Sequence, residues 1–269
     1  MRAISIAKPK QGGVNEDHAI ANEHLIAVSD GAGGGGIYAD EWSEYLVNSL
    51  PSSPICSFEE LDAWIETIWE TFYNEHEQKA KGEGGMVLNK FYDEGSFATL
   101  VAVWHDENKA HWVAYGDSVA FCYNPTTGKL QHSFTSLADF TKPPYLINCK
   151  DELKEAGCRC GEFEVHAGDI LFCASDALSH YILMMYELAN CCEYADELQV
   201  AERSGSKESA FIKNASCRKI DFAGVLQKLM NCKSGYLFER HMQKLYNDKL
   251  IGLDDYSFTF QILFNSSSV

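Results

Sequence analysis

The chain is 269 residues long, with 46% hydrophobic and 12% aromatic residues, enough apolar material to bury a sizeable core and too much for a disordered polymer. Its 39 Asp and Glu against 22 Lys and Arg leave a net charge of -17, which argues against a broad basic face for nucleic acid or for an anionic membrane. No window approaches the roughly 18 consecutive apolar residues of a membrane-spanning helix, and "MRAISIA" is too short and mixed for a secretory signal; a soluble, cytoplasmic, monomeric protein is the expectation.

Short strands are predicted at Arg2 to Ile6, His18 to Ala21 and Leu25 to Ser29, and a helix near Ala39 to Leu50. A second helix should begin at Ser57, where Ser57 and Glu60 have capping-box spacing and Phe58, Leu61, Ile65, Ile68 and Phe72 recur along one face. "KGEGG" at Lys81 to Gly85 reads as a flexible break. The next stretch, "GSFATLVAVWHDENKAHWVAYGDSVAFCY", has three apolar segments separated by turn residues, the pattern of an antiparallel meander. Phe97, Thr99, Val101 and Val103 fall on one side of it and Ala98, Leu100, Ala102 and Trp104 on the other. A sheet apolar on both faces must be covered twice, so the layers are those of a sandwich flanked by helices, and the fold class is α+β.

"NPTTGK" at Asn124 to Lys129 is a turn. The residues from Ser133 to Glu162, with Pro143 and Pro144 and little periodicity, read as a long loop or flap. Strands return at Phe163 to Val165 and Ile170 to Ala174, helical periodicity runs from Leu178 to about Leu198, and "ERSGSKES" reads as an exposed connection. Further helices are predicted at Asp221 to Met230 and Tyr236 to Asn247, and a last strand at Tyr256 to Phe264. No repeat or linker divides residues 1–269, so one domain is expected, with a variable flap at about 133–162 and a variable helical segment at about 178–247. The ten cysteines lack any paired C-x-x-C spacing and read as reduced thiols. His18, His24, His105, His111, His132, His166, His180 and His241 show no ligand spacing and read as surface or satisfied core residues.

An Asp stands at a strand end beside Gly, Ser or another Asp in "VSDG" (Asp30), "YGDS" (Asp117), "ASDA" (Asp176) and "LDDYS" (Asp254), and Asp17 precedes a short strand in "NEDHA". Each alone is ordinary turn chemistry. If the strands stack with their ends aligned, however, the carboxylates meet at one edge and repel one another unless cations lie between them. Oxygen donors without His or Cys select hard ions, so Mg²⁺ or Mn²⁺ is expected in preference to zinc. Gly31, with no side chain, could offer its carbonyl beside Asp30. Two such ions about 3.5 to 4 Å apart activate a water and clamp an in-line attack on phosphorus.

"NEDHAI", "LIAVSDGAGG", "GSFATLVAVW", "AYGDSVAFCY", "GDILFCASDAL" and "LDDYSFTFQIL" occur in the order found in the PP2C-like (PPM) metal-dependent serine/threonine protein phosphatases, which the chain resembles from about residue 5 to 264. The resemblance implies a four-layer αββα sandwich with two Mn²⁺ or Mg²⁺ ions at one edge, a third position in many members, and phosphoprotein substrates. It implies that Asp30 bridges the metals, that Gly31 is a carbonyl ligand, and that Asp176 and Asp254 complete the direct ligands, with Asp254 preferred over Asp255. Glu16 and Asp17 match the family's acidic pair, and Asp117 with Asp176 matches the third position. Asp30, Asp176 and Asp254 would act in catalysis through water held at the metals.

The sequence departs from that pattern at three places. Gly12 and Gly13 occupy the region where many members carry a phosphate-holding arginine, leaving Lys8 and Lys10 as the candidate phosphate contacts, each a point charge without a bidentate fork. Ala32 stands where some members have a histidine, and Ala177 where glycine is usual, which a negative φ would tolerate. The missing arginine sustains a rival reading, a pseudophosphatase that binds without turnover; a phosphatase for small metabolites is a third.

Overall fold

The computed structural model describes residues 1–9, 13–106 and 108–264. The first elements follow the apolar pattern: β1 (Arg2–Ile6), β2 (Asp17–Ala21), β3 (Leu25–Asp30) and α1 (Ala39–Asn48). Ser57 caps α2 (Phe58–Glu83), its hydroxyl accepting the Glu60 N–H. The reciprocal half of the expected capping box is shifted by one residue, because the Glu60 carboxylate accepts from the Cys56 N–H at 2.7 Å. "KGEGG" is not a loop. Helix α2 runs through Glu83, Gly84 turns the chain, and a further helix, α3 (Gly85–Glu94), follows at once. Periodicity hid α3 because Phe91 is its one buried residue.

Then come β4 (Phe97–Ala98), β5 (Leu100–His105), β6 (Lys109–Tyr115), β7 (Val119–Asn124) and β8 (Lys129–His132). The expected three-strand meander is cut after its second strand: β5 pairs with β6, but β7 leaves for the other sheet. The crossing occurs at Gly116, which has φ +103 and where a Cβ would sit 2.7 Å from Thr99 Cγ2 and 2.8 Å from the Tyr145 carbonyl oxygen, so no larger residue could turn there. The stretch expected as a long loop holds 3-10 turns at Leu137–Thr141 and Glu155–Gly157, the short β9 (Ile147–Asn148) paired with β4, and the first part of β10 (Cys158–Glu164). After β11 (Ile170–Ala174) the helical segment divides into α4 (Asp176–Ala189), α5 (Ala195–Arg203), α6 (Lys207–Ser216), α7 (Phe222–Met230) and α8 (Gly235–Asn247), and β12 (Tyr256–Ile262) ends it. Helix α6 begins within the stretch read as a connection, which holds its first three residues; Ser206 caps it by accepting the Ser209 N–H. None of the described helices is long and apolar enough to cross a membrane.

The strands form two five-stranded antiparallel sheets, ordered β1-β12-β11-β7-β8 and β10-β6-β5-β3-β2. Alternation along the strands then makes three separate apolar layers. Val101 and Val103 of one sheet meet Ala120, Cys122, Leu171 and Cys173 of the other between the sheets. Ala98, Leu100, Ala102 and Trp104 face outward onto Trp42, Leu46, Leu61 and Phe72 of the first helices, while Phe121, Phe172 and Phe258 face α4 and α8 through Leu178, Phe238 and Met242. The result is the α+β, four-layer αββα sandwich of the sequence reading.

Register brings particular strand ends to one edge. Ala174 pairs with both Val119 and Phe258, and Ile6 with Tyr256; in the second sheet Asp17 pairs with Asp30. The residues just outside these ends are Asp117, Ser175, Asp176, Asp254 and Asp255. Trp42 secures the helical cover over the second sheet: it is fully buried, its ring centroid lies 4.6 Å from that of Phe72, and its indole N–H donates to the Ile147 carbonyl at 3.1 Å. Trp42→Ala is expected to lower unfolding free energy by about 3 to 5 kcal/mol in urea titrations; a loss below about 1 kcal/mol would contradict its anchoring role.

Candidate functional site

The residues at this edge are held by backbone and hydroxyl contacts. Ser29 Oγ donates to the Thr99 carbonyl at 2.6 Å, and the Thr99 N–H donates to the Asp30 carbonyl at 2.8 Å, which fixes the end of β3 against β5. Thr99 Oγ1 and Ser118 Oγ share a hydrogen bond at 2.8 Å, tying the Asp117 turn to the same place. Ser175 Oγ accepts the Ser257 N–H at 3.0 Å, linking the entrance to α4 with the start of β12. The Gly31 N–H donates to the Glu16 carbonyl at 3.1 Å. A Cβ at Gly31 would lie 2.5 Å from that same oxygen and 2.6 Å from the Ala39 carbonyl, so glycine is required by close approach. The Glu16 carboxylate occupies the space a side chain at Gly33 would need.

The carboxylates do converge. Asp17 is 1% exposed and neither of its side-chain oxygens has a hydrogen-bond partner; Ser175 and Asp30 lie close by without meeting bonding geometry. Burial pushes its pKa up to about 7, and the Asp255 and Asp254 charges push in the same direction. Asp30 and Asp176 are held well above the ordinary carboxylate range, first by burial and then by their neighbours: Asp17, Asp176, Asp117 and Asp254 around Asp30, and Asp117, Asp254 and Asp17 around Asp176. Asp117 is pushed up to about 6 by burial, opposed by its own backbone N–H and by Arg159. Glu16 is raised by burial, with Lys8 acting against the rise. Asp254 joins this group through its field on Asp30, Asp117 and Asp176.

Asp254 and Asp255 are separated by what they bond. Asp255 accepts the Lys8 N–H at 2.7 Å on one oxygen and the Glu16 N–H at 2.8 Å on the other, clamping the segment before β2 to the start of β12. Asp254 instead faces Lys8 Nζ at 3.3 Å. Partial burial lowers the Lys8 pKa, but Asp254, Asp255 and Glu16 outweigh this and leave it raised. Lys10 and Gly12 lie outside the described residues. Ala177 stands in the first turn of α4 without a positive φ, and its N–H donates to the Asp176 carboxylate.

Two residues beside the cluster escaped sequence reasoning. Arg159 on β10 donates to the Gly116 carbonyl, lies 4.7 Å from the Phe134 ring centroid and places its charge beside Asp117. It sat in a stretch read as loop; the alternation in "CRCGEFE" was the available signal. His180, read as a surface or satisfied residue, is 3% exposed with Nε2 unpartnered. It lines a cavity of about 30 Å³ with Phe140, Phe211, Asp176 and Asp254, and burial lowers its pKa to about 4.

Asp17, Asp30, Asp117, Asp176 and Asp254, with Glu16 and the Gly31 carbonyl, make an all-oxygen donor set that could hold a hard divalent cation. The orphaned Asp17 oxygens and the carboxylates raised by burial and by one another's charge are features that a bound cation would relieve. As placed, no three described His, Cys, Asp or Glu side chains close a ready-made coordination sphere.

No protein-family model matches the chain, and no curated protein does. Among solved structures it is similar to the Mycobacterium tuberculosis serine/threonine phosphatase PstP/Ppp, at 16% identity over 98% of both chains with a TM-score of 0.54. The catalytic domain of PstP in complex with two manganese ions matches at 15% identity over 97% of both chains, TM-score 0.53. Stp1 from Staphylococcus aureus matches at 14% identity over 97% of this chain and 94% of its own, TM-score 0.53. The chain therefore has a PP2C-like fold.

The Asp17 carboxyl keeps its proton to about pH 7 in the fold and releases it near pH 4 when unfolded. Between those values the folded state binds more protons than the unfolded one, so this group's contribution is most favourable below about pH 4 and worsens up to about pH 7. In EDTA, the difference in melting temperature between Asp17→Asn and the natural protein should grow in the variant's favour across that window, and Mn²⁺ added at its upper end should stabilise the natural protein more than the variant. A pH-independent difference would contradict the buried, unpaired state of Asp17.

Proposed function

We propose that the chain is a Mn²⁺- or Mg²⁺-dependent phosphatase acting on phosphoserine and phosphothreonine in proteins. The observation that carries this reading is the convergence of Asp17, Asp30, Asp117, Asp176 and Asp254 from both sheets onto one edge, where burial and neighbouring carboxylates raise the proton affinity of Asp17, Asp30, Asp117 and Asp176. Side chains that crowd like charges in this way are expensive to fold and imply a cationic ligand. The likeness in fold to phosphatases, one of them holding two manganese ions, points the same way.

In this reading Asp30, at the end of β3, would hold the ions together with the Gly31 carbonyl, Asp176 and Asp254. Glu16 and Asp17 act as outer acceptors that orient water, and Asp117 with Asp176 offers a third position. Bound Mn²⁺ or Mg²⁺ supplies Lewis acidity, lowering the pKa of water toward neutrality and balancing charge on phosphorus. The Asp255 clamp keeps Lys8 and Glu16 at the rim, and Lys8 Nζ, already at the edge of the cluster, attracts the incoming phosphate as a point charge. Since Asp254 engages that ammonium in the free protein, phosphate must compete for it, which is the observation that favours the second reading, a binding module with weak or absent turnover.

Hydrolysis of p-nitrophenyl phosphate and of a phosphothreonine peptide should require Mn²⁺ or Mg²⁺, cease in EDTA, and fall at least about 100-fold in Asp176→Asn, equivalent to about 2.7 kcal/mol of barrier. Preference for the peptide supports protein substrates, and preference for small phosphates the metabolite reading. A folded protein inert with either metal would leave the binding module. Lys8→Ala should raise the KM for phosphopeptide several-fold with little change in kcat; an unchanged KM removes Lys8 from phosphate recognition.

A further inference from the structure

The net charge of the chain conceals a reversal of sign. Between Arg203 and Lys249 lie ten of its 22 Lys and Arg residues but four of its 39 Asp and Glu, so this stretch is six charges positive and the remainder 23 negative. Among the described residues, Lys207 and Arg218 are the members of this set that meet a carboxylate, Lys207 at Glu208 and Arg218 at Asp248. The other cations have no acidic neighbour in ion-pair range.

Helix α8 contributes two of these unpaired cations, Arg240 and Lys244, beside exposed apolar surface. Arg240 and Lys244 are exposed, and the lowered pKa of the partly buried His241, caused first by burial and then by Lys228 and Lys244, places three basic groups together. Tyr236 and Leu237, one turn earlier, are 69% and 43% exposed. These residues, with Glu239 and Asp248, line an open groove of about 670 Å³ along α8, a volume in the range of recognition sites; Arg218 offsets the Asp248 charge, and Lys228 adds a positive charge beside His241. Tyrosine and arginine are among the side chains on which binding energy concentrates. The groove starts near the carboxylate edge: Gly235 lies against Ile6, a Cβ there meeting Ile6 Cγ2 at 3.9 Å, and Ile6 precedes by two residues the Lys8 that faces Asp254.

We propose that the α8 groove docks an acidic, extended segment of the phosphoprotein substrate, engaged outside the phosphorylated residue itself. A carboxylate-lined edge repels an acidic substrate, and a neighbouring patch of opposite sign offsets that repulsion while raising the encounter rate. Arg240 and Lys244 pair with acidic side chains, and Tyr236 with Leu237 receives an apolar or aromatic one. The assignment rests on the phosphatase reading for the identity of the partner as a substrate; the affinity for acidic polypeptide is independent of it.

The test is fluorescence anisotropy with a labelled, unphosphorylated Glu/Tyr-rich peptide, alongside turnover of p-nitrophenyl phosphate, on the natural protein, the charge-reversed pair Arg240→Glu with Lys244→Glu, and the pair Tyr236→Ala with Leu237→Ala. The natural protein should bind the peptide with an affinity that falls steeply with salt. Each pair should weaken it at least about tenfold while leaving p-nitrophenyl phosphate turnover unchanged, and the charge-reversed protein should acquire affinity for a Lys/Tyr-rich peptide, which a misfolded chain would not. Undetectable binding, equal binding of a neutral peptide, insensitivity to charge reversal, or preference for phosphatidylserine vesicles or an oligonucleotide overturns the proposal. Peptide binding intact in a protein that hydrolyses nothing would sink the phosphatase reading and leave the docking surface standing; turnover without peptide binding would do the reverse.

Discussion

Carboxylates brought together where water is scarce set the terms for the rest of this molecule. Asp17 is buried with both oxygens unpartnered, and Asp30, Asp117 and Asp176 each hold a proton more tightly because of burial and of neighbouring carboxylates, Asp254 acting on all three. A fold gains nothing from such an arrangement by itself, since desolvation and like-charge repulsion both oppose it. It persists because the surrounding sandwich, with its apolar layers between and outside the sheets, is stable enough to carry the strain. Positive charge relieves it, and the proposed chemistry exploits that demand.

The edge is built by the backbone more than by the carboxylates. Ser29, Thr99 and Ser118 form a hydroxyl chain that sets the end of β3 against the turn into β7, and Ser175 with Ser257 does the same for α4 and β12. Asp255 spends its own charge on the Lys8 and Glu16 N–H groups. The hydroxyl contacts are short, buried and neutral, so they hold whether or not the acidic side chains are ionised. Preorganisation of this kind keeps a charged site from rearranging when its charge state changes.

The distribution of charge over the chain extends the same logic outward. In the proposed function, an acidic edge that handles phosphate faces a problem of approach, because substrate and site carry the same sign. Arg159 beside Asp117 and Lys8 beside Asp254 answer it locally, and the basic helical stretch from Arg203 to Lys249 answers it at longer range. That stretch lies between α4 and β12 and contributes nothing to either sheet, so its surface was free to take a charge opposite to the rest.

Much of this was legible without coordinates. Hydrophobic alternation located β1, β3, β5, β6, β11 and β12 within a residue or two, and the two-sided apolar character of residues 97–104 required a sheet covered on both faces. The strand-end aspartates and Gly31 were visible because turn chemistry and close approach are local properties of residue type. What sequence alone could not decide depended on partners distant along the chain. Gly116-Asp117 reads as a hairpin turn, yet it passes from one sheet to the other, through a space so crowded by Thr99 and Tyr145 that only glycine fits. Asp254 and Asp255 are chemically identical and adjacent, and only hydrogen bonds from Lys8 and Glu16, more than 200 positions away, assign one to the clamp and leave the other to the cluster. Arg159 and His180 gained their surroundings from Gly116 and Phe134, and from Phe140 and Phe211. Local propensity determined the elements and the kinds of side chain at their ends; the sheet register, a sum of many long-range contacts, decided which of those side chains meet.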